Sequence, residues 1–528
     1  MKNYLSLIVC LLTLIATAQD NRSALIPMPN NINEVKGKPF YIDAKKTTIY
    51  ISHKELLFAA TTLQQSLKER MQVNIPISEL TPRGTSTIRL QMEPEMTGKE
   101  HYSIWVDGKG VTIRGANCAA IYYGVMTMDQ LFLGDGCSTE QKKITPIAID
   151  DTPRFAYRAL MLDPARNFLS VEDIKFYIDQ MAHYKYNVLQ LHLTDDQGWR
   201  IEIKKHPKLT GKKFYTQQQL KELIGYAAER HVEIVPEIDI PGHTVAILAA
   251  YPELGCTHTD TIEMVVGKSV EFMLCANNKK VYSVLKDIID EVALIFPSKY
   301  IHLGGDEAAV EKNWTKCSRC RALMAQMGYT KASQLMIPFF AKMIDFVRKD
   351  NKQPILWCEL DNIYPPANDY LFPYPKDVTL VSWRGGLTPT CLEITAQHGN
   401  NIIMAPGEYA YLDYPQLEGD LPEFNNWGMP VTTLEKCYQF DPAYSKAESE
   451  QTHIQGIMGT LWGEAIKDIN RLMYMTYPRA LALAEAGWTQ MQNRNFESFK
   501  ERLYPNLMNL IKQGVSVRVP FEIVNREK

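Results

Sequence analysis

The chain has 528 residues, 45% of them hydrophobic and 22% charged, with a formal net charge of −3 at pH 7. This length exceeds one ordinary hydrophobic core, so the composition predicts a globular protein of roughly two or three domains. The near-neutral charge gives no electrostatic reason to expect a nucleic acid or an anionic membrane surface as a partner.

Residues 1–18 are predicted to be a signal peptide and not part of the fold. Lys2 supplies a positive charge, an apolar run from Leu5 to Ile15 follows, and Ala16-Thr17-Ala18 provides small residues for cleavage. The sequence therefore predicts export, to the periplasm or to the exterior. No other apolar run is long enough to span a bilayer.

Residues 19–150 are predicted to form a small α+β domain. Apolar and β-branched runs predict strands over residues 47–51, 87–90, 102–106 and 111–114, the last two forming a hairpin around a turn at 107–110. Apolar spacing of three and four predicts helices over residues 56–70 and 116–131. The domain has no recognisable site motif, so we expect it to support the rest of the chain.

Residues 151–488 show strands alternating with amphipathic helices. Strands are predicted over residues 158–162, 187–193, 233–238, 300–304, 354–357, 378–383, 401–405 and 456–462, and helices over 171–184, 217–230, 281–295, 332–348, 389–398 and 473–486. This α/β alternation predicts a (β/α)8 TIM barrel. The long connection at 406–455 is expected to carry part of a site. Residues 489–528 are predicted to be a C-terminal helical extension.

One predicted barrel strand ends in two glycines and two adjacent carboxylates, Gly304-Gly305-Asp306-Glu307. Neighbouring side chains on a regular strand point to opposite faces, but glycine relaxes this alternation because it reaches backbone angles that other residues avoid. Asp306 and Glu307 are therefore expected to face one cavity with different burial. Paired carboxylates need that difference when one stays charged and the other transfers a proton.

Polar and aromatic residues recur just after the predicted strands, on the face where barrel enzymes hold their active sites. Aromatic faces stack on sugar rings, and arginine and carboxylate side chains bind sugar hydroxyls, so the set predicts a glycosidase. Its members are Asp163, Arg166, Asp195, Asp196, Glu237, Asp239, His243, Asp306, Glu307, Trp357, Trp383, Arg384, Tyr409, Tyr411, Asp413, Trp462 and Glu464.

A metal-dependent hydrolase is an alternative interpretation of the same ring. Its ligands would be drawn from His192, His243, Asp195, Asp239 and Asp306. Against it, the first strand carries no H-x-H, no helix carries H-E-x-x-H, and the tryptophans would have no role.

Five segments resemble glycoside hydrolase family 20, the β-N-acetylhexosaminidases, in sequence and in order. They are L-D-P-A-R-N-F at 162–168, H-L-T-D-D-Q-G-W-R at 192–200, E-I-D-I-P-G-H at 237–243, H-L-G-G-D-E at 302–307 and L-W-G-E at 461–464. The resemblance covers nearly the whole chain after residue 18. It implies cleavage of terminal β-linked GlcNAc or GalNAc with retention, in which the 2-acetamido oxygen of the substrate attacks the anomeric carbon to form an oxazolinium ion.

The resemblance also implies roles for individual residues. Glu307 is expected to be the acid and base, Asp306 to orient the acetamido N–H and stabilise the intermediate, and Tyr411 to donate to the acetamido oxygen. The implied substrate-binding residues are Arg166, Glu464 and Asp413 at the hydroxyls, Trp357, Trp383 and Trp462 as walls, and Asp195 and His243 as a chain supporting Glu307.

No cofactor and no metal are implied, and the expected partner is a glycan with a terminal N-acetylhexosamine. No sequence pattern indicates an oligomeric state. One departure is Asn167, where the family usually has histidine, which predicts an altered contact behind the sugar-binding side chains. A non-catalytic sugar-binding barrel is a second alternative, and the intact pair of Asp306 and Glu307 argues against it.

The cysteines are odd in number once Cys10 of the predicted signal peptide is removed, which leaves nine of the ten. Cys256 and Cys275 flank one loop and are candidates for a disulfide, and they match a loop disulfide of some family members. Cys317 and Cys320 form a C-x-x-C that is either a local disulfide or half of a metal site. The absence of a second C-x-x-C argues against a zinc ribbon.

Overall fold

The computed structural model describes residues 23–81, 86–134, 137–257, 272–358, 374–420, 429–443 and 447–520. The predicted signal peptide lies outside the described residues. Within these ranges, no helix combines the length and the apolar character that crossing a membrane requires.

The N-terminal part is a seven-stranded mixed sheet, in the order β1-β10-β6-β7-β5-β3-β4, and a small three-stranded sheet. Helices α1 (Leu57–Met71) and α2 (Cys118–Leu131) pack against each other and against the larger sheet. The strands are β1 (Asn31–Glu34), β2 (Phe40–Tyr41), β3 (Thr48–Ile51), β4 (Ile77–Ser78), β5 (Thr87–Met92), β6 (Tyr102–Asp107), β7 (Gly110–Gly115), β8 (Cys137–Ser138), β9 (Lys143–Ile144) and β10 (Ile147–Asp151). The predicted hairpin is confirmed as β6 and β7, and six strands were not predicted.

Eight parallel strands then close into a barrel, which confirms the predicted (β/α)8 fold, and each predicted strand lies within two residues of its observed bounds. A short hairpin, β13 and β14, follows the second barrel strand. The strands are β11 (Tyr157–Leu162), β12 (Val188–His192), β13 (Thr194–Asp195), β14 (Gly198–Trp199), β15 (Glu233–Glu237), β16 (Tyr300–His302), β17 (Gln353–Trp357), β18 (Thr379–Ser382), β19 (Asn401–Met404) and β20 (Ile454–Leu461).

Side chains fill the barrel interior, as expected of a TIM barrel, so the barrel is a packed core and not a channel. Aliphatic residues and a few aromatic ones alternate inward along the strands. The cluster comprises Tyr157, Ala159, Met161, Val188, Val235, Tyr300, Ile355, Trp357, Val381, Ile403, Ala405 and Met458.

Helices surround the barrel and occupy its longer loops. Capping boxes at Ser170 and Thr216 begin the first two of them. The helices are α3 (Val171–His183), α4 (Gln217–Glu229), α5 (Val245–Ala250), α6 (Lys279–Ile295), α7 (Val310–Asn313), α8 (Ser318–Met327), α9 (Met336–Lys349), α10 (Thr388–His398), α11 (Gly407–Ala410), α12 (Leu434–Gln439), α13 (Glu448–Gln451), α14 (Ile469–Thr476), α15 (Arg479–Trp488) and α16 (Phe496–Lys512).

Two predictions were wrong. The single helix predicted over residues 473–486 is two helices, α14 and α15, because Pro478 has no N–H for the helical ladder and restricts the residue before it. The disulfide between Cys256 and Cys275 is not formed, and both thiols are free. The predicted domain boundaries at residues 18, 150 and 488 stay predictions.

Candidate active site

A cavity of about 100 Å³ opens at the carboxyl-terminal ends of the barrel strands. Every residue to which the family resemblance assigns a role lines it, except Asp195, which lies buried behind it. Six further members of the predicted ring do not line it, namely Asp163, Asp196, Glu237, Asp239, Arg384 and Tyr409. The lining residues are Arg166, His243, Asp306, Glu307, Trp357, Trp383, Tyr411, Asp413, Tyr414, Met429, Trp462 and Glu464.

The turn after β16 gives Asp306 and Glu307 different exposure. Gly304 and Gly305 have φ values of 65° and 102°, and the Gly305 N–H donates to Asp239 Oδ1 over 3.0 Å. A Cβ atom on Gly304 would lie 1.8 Å from that same oxygen, so only glycine fits there. Asp306 is buried, whereas the Glu307 side chain is 42% exposed and its backbone has a φ of 48°.

Asp306 shares a buried pair with Asp239. Burial, and then the charge of Asp306, raise the pKa of Asp239 well above its usual value. Burial also raises the pKa of Asp306, while His243 and a hydrogen bond from Asp239 oppose that rise. The proton of this pair therefore resides on Asp239, which donates to an Asp306 carboxylate.

Arg166, Asp195 and His243 form a chain of charged side chains that ends beside Asp306 and Glu307. Arg166 Nη2 lies 2.9 Å from Asp195 Oδ2, and Asp195 Oδ1 lies 3.3 Å from His243 Nδ1. His243 Nε2 then lies 3.8 Å from Asp306 Oδ2 and 3.7 Å from Glu307 Oε2. Burial disfavours charge on His243, but the Asp195 carboxylate raises its pKa well above its usual value, so His243 is an imidazolium facing both acids.

Tryptophans form the walls of the cavity. The rings of Trp357 and Trp462 lie 5.7 Å apart, and the Trp357 indole N–H donates to Glu237 over 2.7 Å. The Arg166 guanidinium stacks 4.9 Å from the Trp462 ring. These contacts hold both rings in fixed orientations.

Several polar atoms in this buried wall have no hydrogen-bond partner within the described residues. They are Arg166 Nε, His243 Nε2, Asp306 Oδ1, Trp383 Nε1, Asp413 Oδ1 and Glu464 Oε2. A buried polar atom without a partner costs about 1–3 kcal/mol. Three acceptors and three donors therefore suit a ligand that carries several polar groups, as a sugar does.

The histidines of the metal-binding alternative lie among carboxylates. Burial disfavours charge on His192, but Glu237 and Asp195 raise its pKa well above its usual value, and its two nitrogens lie 3.0 and 2.8 Å from these carboxylates. His192 with Glu237 and Asp239, and His243 with Asp195 and Asp239, are close enough together to hold a metal ion, so a chelator experiment is needed to test this alternative.

Two lining residues were missed from the sequence, Tyr414 and Met429. Tyr414 directly follows Asp413 in the seventh loop, and its ring meets that of Tyr411 edge-on at 5.1 Å, so its position beside two predicted residues was a usable signal. Asn167, the departure from the family pattern, donates to the Gly463 carbonyl over 2.7 Å and so holds the segment that carries Glu464.

A larger cavity of about 830 Å³ lies at the opposite end of the barrel. Its walls include Tyr157, Val188, Glu233 and Tyr300, which stand at the starts of their strands. That end of a TIM barrel serves stability, and chemistry is found at the other end. The smaller cavity is therefore the candidate active site.

Comparison with known families agrees with this geometry. The model "Glycosyl hydrolase family 20, catalytic domain" matches residues 155–491, and "Glycosyl hydrolase family 20, domain 2" matches residues 22–152. The chain belongs to glycosyl hydrolase family 20. The predicted family is thereby confirmed, and the protein is a glycoside hydrolase.

Individual family 20 proteins resemble the chain over most of its length. A beta-hexosaminidase of Akkermansia muciniphila is 37% identical over 457 residues, which cover 83% of this chain and 89% of the relative. A beta-hexosaminidase of Porphyromonas gingivalis is 32% identical over 548 residues, covering 97% and 68%. The crystal structure of the GH20 exo beta-N-acetylglucosaminidase of Vibrio harveyi with N-acetylglucosamine superposes with a TM-score of 0.81 at 29% identity, covering 95% and 79%.

Proposed function

We infer that this family 20 enzyme is a β-N-acetylhexosaminidase that removes terminal β-linked GlcNAc or GalNAc from glycans with retention of configuration. The observation that carries the inference is the pair of adjacent carboxylates, one buried and one exposed, in a tryptophan-walled cavity of the barrel. Because the pair is adjacent in the chain and unequal in environment, it suits substrate assistance.

In the first step, the 2-acetamido oxygen of the substrate attacks the anomeric carbon. The bond from that carbon to the leaving oxygen breaks, and Glu307 gives the leaving oxygen its proton, which leaves an oxazolinium ion. In the second step, Glu307 takes a proton from water, the water oxygen attacks the same carbon, and the ring opens to restore the acetamide. Two displacements at one carbon give net retention.

Asp306 and Tyr411 act on the acetamido group. The unpartnered Oδ1 of Asp306 is an acceptor for the acetamido N–H, and its carboxylate stabilises the positive charge of the oxazolinium ion. Burial raises the pKa of Tyr411 well above its usual value, which keeps its phenol protonated. A protonated phenol is a hydrogen-bond donor, and we assign its proton to the acetamido oxygen.

Arg166, Asp413 and Glu464 bind the sugar hydroxyls. Asp163 Oδ2 lies 3.0 Å from Arg166 Nη1, and this contact, with that of Asp195, fixes the guanidinium. The unpartnered oxygens of Asp413 and Glu464 are acceptors on the same side of the cavity as Arg166. Trp357, Trp383 and Trp462 pack on the sugar face and the acetamido methyl.

The substrate is a glycan or oligosaccharide that ends in an N-acetylhexosamine. We propose that residues 1–18 direct export, so that the enzyme meets its glycans in the periplasm or outside the cell. The net charge of −3 favours neither a nucleic acid nor an anionic surface as a further partner.

The test compares an aryl β-N-acetylglucosaminide with the matching aryl β-glucoside, with and without brief exposure to a chelator. Turnover of only the acetamido sugar, unaffected by the chelator and releasing the β-anomer first by NMR, is the expected result. Equal cleavage of the glucoside would overturn substrate assistance. Immediate loss of activity with the chelator would revive a catalytic metal, and binding without turnover of either sugar would indicate a sugar-binding barrel.

A further inference from the structure

Four buried cysteines from separate segments converge beside the catalytic loops. Cys275 Sγ lies 3.6 Å from Cys320 Sγ and 3.8 Å from Cys317 Sγ, and Cys256 Sγ lies 3.8 Å from Cys320 Sγ. All four sulfurs lie within 4.8 Å of one another, and none is in a disulfide. The proposed reaction uses none of them.

The spacing of the sulfurs is that of a metal tetrathiolate. A zinc–sulfur bond is about 2.3 Å, so two sulfurs at the corners of a tetrahedron around zinc lie about 3.8 Å apart. A disulfide instead brings its two sulfurs to about 2.05 Å. The three measured distances of 3.6 to 3.8 Å match the tetrahedron.

The fold supplies the second cysteine pair that the sequence lacks as a C-x-x-C. Gly255 and Leu274 form an antiparallel bridge, the Cys256 N–H donates to Met273 O over 3.2 Å, and the Cys275 N–H donates to Leu254 O over 2.9 Å. These bonds place Cys256 and Cys275 side by side although they are far apart in the chain.

The other pair stands at the start of α8. Cys317 is the N-cap residue, and Cys320 follows within the first turn, so both sulfurs point from one end of the helix. The two pairs meet as the two halves of a zinc ribbon do.

A cation lies close to the sulfurs. Arg319 stands between Cys317 and Cys320 in the chain, and it donates to the Gly255 carbonyl over 2.6 Å, next to Cys256, which fixes the guanidinium beside the cluster. Four thiolates around a divalent ion leave two net negative charges, and such an outer group stabilises that charge.

We propose that Cys256, Cys275, Cys317 and Cys320 bind one Zn²⁺ as a structural tetrathiolate site. Binding releases the four thiol protons to solvent, and no oxidant or reductant is needed. The four protein ligands close the coordination sphere, so the ion has no open position for water or substrate and takes no part in hydrolysis.

The site joins the two loops that carry the catalytic turn and its histidine. Cys256 and Cys275 belong to the connection after β15, which carries His243, and Cys317 and Cys320 follow Asp306 and Glu307 along the chain. The Trp314 indole donates to Leu274 O over 2.9 Å, and Asn277 Nδ2 donates to Arg319 O over 2.8 Å, so the loops already touch around the cluster. A zinc ion bound to the four cysteines would therefore hold the loop that carries His243 against the loop that follows Asp306 and Glu307.

The first experiment measures metal and thiols on the purified chain from residue 19 onward, which has nine cysteines, prepared without a metal-affinity tag. We expect about one zinc per chain, released on denaturation, together with nine reactive thiols. Replacement of zinc by Co²⁺ is expected to give the strong thiolate-to-cobalt absorption of a tetrahedral site. A zinc-free protein with nine thiols, or one with two disulfides and five thiols, would overturn the proposal.

Variants then identify the ligands. Cys317→Ser and Cys275→Ser are expected to lose the zinc and to lower the thermal midpoint, whereas Cys391→Ser, a buried free cysteine on α10, keeps it. Zinc retained in both ligand variants would contradict the assignment. Metal content is measured whether or not the protein hydrolyses glycosides, so failure of the proposed function and failure of this proposal are separable.

Discussion

At the scale of single residues, the site depends on unequal environments for equal chemical groups. Asp306 is buried beside a protonated Asp239 and an imidazolium, so it stays charged, whereas Glu307 is 42% exposed and can exchange protons with a leaving group and with water. Roles follow from contacts and not from residue type.

Glu307→Gln tests the acid and base. The variant cannot protonate the leaving oxygen, so kcat for an aryl glycoside with a basic leaving group is expected to fall by about 10²–10⁴-fold. A leaving group of low pKa needs less protonation, so the rate of the first step should fall far less with such a substrate. The amplitude and rate of the pre-steady-state burst measure this step. An equal loss in the first step for both substrates would contradict the role.

Tyr411→Phe tests the donor to the acetamido oxygen. Removing one preorganised donor to a developing charge costs about 10²-fold in kcat. Tyr414→Phe is the matched control, since this ring lines the same cavity 5.1 Å from Tyr411, and we expect it to lose less than about tenfold. Steady-state kinetics on both variants decides, and equal losses would refute the distinct role of Tyr411.

At the scale of elements, seven of the eight barrel strands end in or are followed by a side chain that lines the cavity, and Asp195, which follows β12, lies behind it. The turn after β16 is tightly constrained by Asp239. The Gly305 N–H donates to Asp239, and the Asp239 side chain fills the space that a Cβ atom on Gly304 would occupy. Asp239 itself follows β15, so two neighbouring strands set the position of the catalytic pair together. The proposed zinc site ties the loops of the same two strands together farther out.

Gly304→Ala tests this constraint. The added Cβ would meet Asp239 Oδ1 at 1.8 Å, so the turn must shift, and we expect kcat to fall with the displaced Asp306 and Glu307. Gly328→Ala is the control, since Gly328 has a similar φ of 70° but nothing within 4 Å, and its cost is only the backbone term of about 1–2 kcal/mol. Urea unfolding and kcat are measured on both, and unchanged kcat in Gly304→Ala would argue against the constraint.

At the scale of the whole molecule, α16 and the N-terminal segment close on the barrel through one buried carboxylate. Glu485 on α15 accepts from Arg502 Nη1 and Nη2 over 2.8 and 2.9 Å, from the Tyr438 hydroxyl over 2.9 Å and from the Met28 N–H over 3.1 Å. Arg502 also donates to Leu25 O over 2.6 Å. Burial opposes charge on Glu485, but Arg502 lowers its pKa below the usual value.

Arg502→Met tests this closure. It leaves Glu485 charged and buried without its cation, which is expected to cost about 3–5 kcal/mol in the free energy of unfolding. The double variant Arg502→Met with Glu485→Gln removes both charges and should recover part of the loss. Urea unfolding at neutral pH measures both, and a double variant no more stable than the single one would contradict the explanation.

The depressed pKa of Glu485 also predicts a pH dependence. The stabilisation by the Glu485–Arg502 pair is fully present above the unfolded carboxyl pKa of 4.5 and is lost as pH falls through the lower folded value. In the double variant this contribution is missing, so its stability should fall less between neutral and acidic pH. If the free energy of unfolding depended on pH equally in the double variant and in the unsubstituted protein, the Glu485–Arg502 pair would not be responsible for the pH dependence.

Much of this protein follows from its sequence, because the decisive signals are local. Strand and helix periods predicted the barrel, and contiguous motifs such as 302–307 and 237–243 predicted the ring of site residues. Where a local rule competed with another, the prediction was wrong: Pro478 divides a run whose apolar spacing predicts one helix.

The tertiary structure alone decided what depends on distant segments meeting. Neighbours from other strands decide which carboxyl group of the site is buried, whether Asp239 carries a proton and which buried atoms lack hydrogen-bond partners. The order of residues along the chain does not give the distances between such neighbours. The four cysteines show this most clearly. Only one pair has the spacing of a metal motif in the sequence, and the other is assembled by a bridge between Gly255 and Leu274. A sequence pattern records neighbours along the chain, whereas a metal site requires neighbours in space.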